Sequence, residues 1–190
     1  NAIVNKFTTH SMLNELAAVE SPQEITAAQF SETKDGWFDH QLSPKTEPVT
    51  LERAIARRRY LTEDYFSRIR QADVVVVTLG LVEVWRDQLC GRYLNTAPSI
   101  HETRREPDRY VFEMLGVQSN RQALEDIHAI LKRLNPVSRI VVTVSPVPLK
   151  TTFTGTDPVA ANMRGKSILR VVAEDFADAH DDVDYFASYE

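Results

Sequence analysis

The chain has 190 residues, 43% apolar and 26% charged, a balance that describes a globular chain and excludes a disordered or fibrous one. Its formal charge of −5 argues against a general nucleic-acid binder, and a single cysteine, Cys90, rules out an internal disulfide and points to a reducing cytoplasm. No apolar run reaches the roughly 20 residues of a membrane span, and the length suits one domain covering residues 1-190.

Asn1 to Asn5 carry neither an initiator Met nor a basic signal-peptide start, and the chain ends on the aromatic-rich Tyr185 to Glu190. A domain truncated at both ends is therefore expected. Met12, Leu13, Leu16, Ala17 and Val19 recur at helical spacing, with Thr8 or Thr9 as cap. Ser21-Pro22-Gln23-Glu24 has the form of a second helix start, a cap followed by Pro and then Glu at the capping-box position. From Ser31 to Pro48 the pattern breaks into an ordered loop anchored by Trp37 and Phe38. Thr50 caps a long helical region to about Ala72, with a kink expected near Thr62.

Asp73 to Leu79 is the clearest strand, a β-branched run of the kind buried on both faces in the middle of a parallel sheet. Residues 86 to 120 read as a long irregular excursion. A helix follows over Asn120 to Leu134, then a strand over Arg139 to Ser145, a helix over Ala160 to His180 and a last short strand over Val183 to Phe186. Strand, helix and strand in that order make a βαβ unit. The basic cluster at Arg53 and Arg57 to Arg59 and the acidic one from Glu174 to Asp184 read as solvated helix faces.

Ligands of open parallel sheets bind at the carboxyl ends of the strands. Two such ends are legible, Thr78 to Trp85 and Val144 to Leu149. Gly80 directly after a buried strand permits a sharp turn that presents backbone N–H groups to an oxyanion. Glu83 is placed to accept hydrogen bonds or pin a neighbouring loop; a bare turn at Gly80 and an Arg partner for Glu83 are the plainer reading. The cleft expected from these segments comprises Gly80, Leu81, Glu83, Trp85 and Ser145. Ser145 lacks the Gly-x-Ser-x-Gly elbow and precedes Pro146, which suits a serine that fastens a loop better than a nucleophile. The five histidines are scattered, with no partners at metal-ligand spacing, and there is no phosphate-binding glycine loop. Neither a metal nor a cofactor is expected. Gly165-Lys166-Ser167 lies inside a helical stretch and is not a P-loop.

Thr78-Leu79-Gly80-Leu81-Val82-Glu83-Val84-Trp85 resembles the TLGLTExW signature of GSCFA-domain proteins. Asn135-Pro136 and Thr143 to Leu149 resemble the family's NP…TVSPVPL signature. Phe7-Thr8-Thr9, Lys166 to Arg170 and Tyr185 to Glu190 add matches in the same order along nearly the whole chain. Membership would imply a three-layer α/β/α fold with a mostly parallel, flavodoxin-like (SGNH-type) sheet flanked by helices. It would also imply a bacterial ester-bond hydrolase or O-acyltransferase acting on a carbohydrate or polysaccharide ester, so that the partner is a small-molecule or glycan ester. The nucleophilic serine of the Gly-Ser-Cys-Phe-Ala motif would lie upstream of Asn1 and the Asp-x-x-His base downstream of Glu190. A catalytically inactive glycan- or partner-binding module of the same fold is the alternative. Val82 stands where the family has Thr, Gly165 where it has Ser, and Ala187 where it has Pro. Valine cannot donate a hydrogen bond, so the oxyanion contribution of that position is in question.

Overall fold

The computed structural model describes residues 3–190. Helix α1 (Thr9–Glu20) opens on the expected cap: the Thr8 hydroxyl accepts from the Ser11 amide, and Ser11 Oγ accepts from the Thr8 amide. The helix start expected at Ser21 does not form. Ser21 instead closes α1, its amide donating to Ala17 O at 2.9 Å, and only a 3₁₀ turn follows at Ala27–Gln29. A cap signature with no apolar stripe behind it has nothing to dock, and an isolated turn is costly to nucleate. The loop expected over 31 to 48 contains a small hairpin, β1 (Ser31–Thr33) and β2 (Gly36–Phe38). Gly36 sits at φ +128°, and a Cβ there would lie 2.7 Å from Val49 O.

Helix α2 (Leu51–Tyr60) is capped by Thr50 and runs into a π turn, Leu61–Tyr65, and a 3₁₀ segment, Phe66–Gln71. The irregularity expected near Thr62 is this change of pitch. Strand β3 (Val74–Leu79) follows. The excursion expected after it is ordered: β4 (Glu83–Asp87), β5 (Arg92–Leu94), the short helix α3 (Ile100–Arg105) and β6 (Tyr110–Met114). β4 pairs antiparallel with both β5 and β6. Helix α4 (Val117–Leu134), strand β7 (Arg139–Val144), helix α5 (Pro158–Ala179) and strand β8 (Val183–Phe186) complete the chain.

The architecture is mixed α/β. Among the described residues a parallel sheet in the order β3-β7-β8 stands beside two antiparallel sheets, and both parallel pairs are joined through a helix. Ile140, Val142 and Val144 of β7 are fully buried, against a core that includes Leu124 and Ile127 of α4 and Leu169 and Phe176 of α5. Burying each such side chain contributes about 1.5–3 kcal/mol.

Contrary to the expectation from its β-branched run, β3 is not in the middle of its sheet: it is an edge strand among the described residues, with Val74 and Val76 52% and 63% exposed. A β-branched run reports the preference for a pleated, buried surface, whereas the strand's place depends on which segments pair with it. No helix among the described residues is long and apolar enough to cross a membrane.

Candidate functional site

At the carboxyl end of β3 the backbone turns through Gly80 into β4. The Gly80 and Leu81 amides donate to Phe7 O at 3.2 and 2.7 Å, and a Cβ on Gly80 would meet that oxygen at 2.8 Å. Glycine is required here by the close approach of the chain ahead of α1. These are the amides expected to meet an oxyanion, and in this arrangement Phe7 O occupies them. Asn95 holds the Phe7 segment in place. Its Oδ1 accepts from the Phe7 amide at 2.8 Å and from Ser11 Oγ at 3.0 Å, while its Nδ2 donates to Asn5 O and Leu42 O. The sequence reading missed Asn95, since a lone Asn after a three-residue strand has no local signature.

The ends of β3 and β7 are joined from below by Lys166 of α5, which is buried. Its Nζ donates to Gly80 O at 3.0 Å and Ser145 O at 2.6 Å, and burial pushes its pKa below the ordinary lysine value. Ser145 is in its expected place, its amide bonded to Leu79 O at 2.8 Å and its Oγ accepting from the Val147 amide at 3.2 Å. The hydroxyl is thus engaged in fastening the Pro-rich loop. A Cβ on Gly165 would lie 3.2 Å from Val82 Cγ2, so these two positions face each other.

Glu83 opens β4. Its carboxylate accepts from Thr152 Oγ1 at 2.5 Å and from the Phe153 amide at 2.9 Å, and so pins the loop ahead of α5. Trp85, two residues on, forms an aromatic cluster with Phe112 of β6 and Phe153, with ring centroids 5.4–5.8 Å apart. Trp85 Nε1 is buried with no hydrogen-bond partner, and Phe153 is 54% exposed.

A groove of about 690 Å³ runs along the open edge of β3, walled by Phe7, Met12, Ile69, Val76 and Val147. It reaches Gly80, Leu81 and Ser145, so the structure brings these three expected cleft residues to one groove. Glu83 and Trp85 lie outside its walls, on the antiparallel sheet.

Two further clusters were hidden in the sequence. Arg58, read as part of a solvated face, is buried and binds two carboxylates: Glu15 at 2.7 and 2.8 Å and Asp39 at 2.6 and 2.8 Å. Lys6 also bonds Glu15. Burial alone would raise the Glu15 and Asp39 pKa values, but Arg58 first and Lys6 after it hold both carboxyls below their usual range. His128 and His180, far apart in sequence, meet Asp182 in space.

The GSCFA family model matches residues 1–190. No curated protein matches the chain.

Proposed function

The chain belongs to the GSCFA family, and from that premise we propose that it forms the substrate-side wall of an ester-bond hydrolase or O-acyltransferase acting on carbohydrate esters. The observation that carries this reading is the groove along β3, an edge unpaired among the described residues, with Gly80 and Leu81 at its carboxyl end and Ser145 beside them after β7. An edge strand with exposed valines and unpaired backbone groups is a template for one more parallel strand. A strand carrying the Gly-Ser-Cys-Phe-Ala serine, laid along β3, would bring a nucleophile to the strand ends and complete a flavodoxin-like, three-layer arrangement. The serine, giving its proton to the His base, would attack the acyl carbonyl and expel the sugar as its alcohol, which takes up that proton. Water or another sugar hydroxyl then attacks the acyl-enzyme and returns a proton to the serine. The Trp85–Phe112–Phe153 cluster, in which Phe153 is exposed, supplies an apolar face for a sugar ring.

A binding module without turnover is the second reading. It is favoured by two observations: Phe7 O takes both amides after β3, and the Val82 side chain carries no donor. The two readings separate in one experiment, fluorophosphonate labelling of the full-length protein with peptide mapping, alongside aryl-acetate hydrolysis. Labelling at a serine outside residues 1–190, together with turnover, supports the enzyme. Neither labelling nor turnover, with measurable glycan binding, supports the module, and labelling at Ser145 would replace the nucleophile named here.

A further inference from the structure

At the amino end of β8, three potential metal ligands converge from two elements that are far apart in sequence. His128 lies on α4, and His180 and Asp182 lie in the turn between α5 and β8. One nitrogen or oxygen from each lies within 4.8 Å of the other two. His128 Nε2 stands 3.1 and 3.2 Å from the two Asp182 oxygens, and the two imidazoles are stacked with centroids 4.0 Å apart.

We propose that His128, His180 and Asp182 bind a divalent transition-metal cation of the zinc class, with Glu125 orienting His180. Two imidazoles and a carboxylate are the borderline donor set that such ions prefer over calcium or magnesium. Bond lengths of about 2.0–2.2 Å to zinc place tetrahedral ligand atoms about 3.3–3.5 Å apart, so closure needs side-chain rotations of only about an ångström. Phe176, buried in the core, packs edge-on against both rings and limits where they can turn. The side chains of His128, His180 and Asp182 are 17%, 22% and 29% exposed, partly buried yet reachable by a hydrated ion.

The surrounding charges define the site further. Glu125 Oε2 lies 2.8 Å from His180 Nε2, the carboxylate–imidazole contact that fixes the tautomer of a metal-binding histidine. Lys132 Nζ lies 2.7 Å from Asp182 Oδ2 and donates to Ser138 O, also at 2.7 Å. This ammonium competes for the carboxylate and weakens binding. With Ser138 O as a second partner, Lys132 can stay where it is when the cation takes Asp182. A bound ion would clamp α4 to the α5–β8 turn and stabilise the fold by mass action.

The test is a titration of chelator-stripped protein with Zn²⁺, followed by melting temperature, and with Co²⁺, followed by visible absorption. Zn²⁺ is expected to raise the melting temperature and Co²⁺ to give tetrahedral bands, both saturating at a level one equivalent above that of His180→Gln. His128→Gln and His180→Gln should each lose that equivalent, and Glu125→Gln should weaken it about tenfold. Lys132→Gln should tighten it severalfold, which a folding defect could not imitate. Metal-free melting temperatures of all the variants provide the folding control. No change in either signal would overturn the proposal. So would binding that survives in both histidine variants, or binding that weakens in Lys132→Gln.

Discussion

Arg58 and Lys166 are both buried cations, and their surroundings are opposite. Arg58 meets two carboxylates, Glu15 and Asp39, whose attraction outweighs its desolvation and raises its pKa. Lys166 meets only the carbonyl oxygens of Gly80 and Ser145, and its desolvation lowers its pKa. The Arg58 cluster ties α1 and α2 to the segment around Asp39 and leaves no charge to spare. Lys166 leaves a net positive charge under the ends of β3 and β7, where an anionic group would gain most from it.

The contrast is open to attack by substitution. Arg58→Met leaves Glu15 and Asp39 buried with Lys6, and Arg57 near Asp39, as the cations beside them, and should cost about 3–5 kcal/mol in urea unfolding at neutral pH. That gap should close in acid. Glu15 and Asp39 have lowered folded-state pKa values, so their contribution is complete above their ordinary values of 4.5 and 3.8 and is lost as pH falls through the lowered ones. A gap unchanged in acid would show that the carboxylates do not depend on Arg58.

Lys166→Met should cost less, about 1–3 kcal/mol, because it strands two carbonyls and no charge. Its pH response has the other sense. A lysine with a lowered folded-state pKa contributes fully above the ordinary value of 10.5 and loses that contribution as pH falls through the lowered value. The wild-type advantage over Lys166→Met should therefore widen from pH 7 towards 10.5, whereas the Arg58→Met gap stays flat there. Parallel curves for the two variants would break the comparison.

Gly80→Ala probes the same strand end by steric means. Its Cβ would press on Phe7 O, and a loss of about 1–3 kcal/mol is expected. The smallest effect concerns the facing pair Val82 and Gly165. Val82→Thr alone buries a hydroxyl, and Gly165→Ser offers it a partner. The double variant should recover about 0.5–1 kcal/mol relative to the sum of the two singles, measured as a double-mutant cycle.

Much of the parallel half was legible because its signals are local and repeated. The β-branched runs of β3 and β7 and the amphipathic stripe of α4 each announce one element, as do the caps Thr8 and Thr50. The antiparallel half was harder to read. β5 has three residues, too short for a period of two to register, and β4 and β6 mix Trp, Phe and charged residues that are half-buried on both faces. In Glu83-Val84-Trp85-Arg86-Asp87 only Val84 and Asp87 are buried, three positions apart, so no period of two is present to read.

The sequence by itself determined family membership, the βαβ order and the two strand ends, because short motifs and periodic apolar runs impose their local structure wherever they occur. Only the tertiary structure decided that β3 is an edge, that Phe7 occupies the amides after it, and that Arg58 is buried. It alone brought His128 within reach of Asp182, 54 positions later. Each of these depends on what a distant segment places beside a residue, and packing carries that information where local propensity cannot.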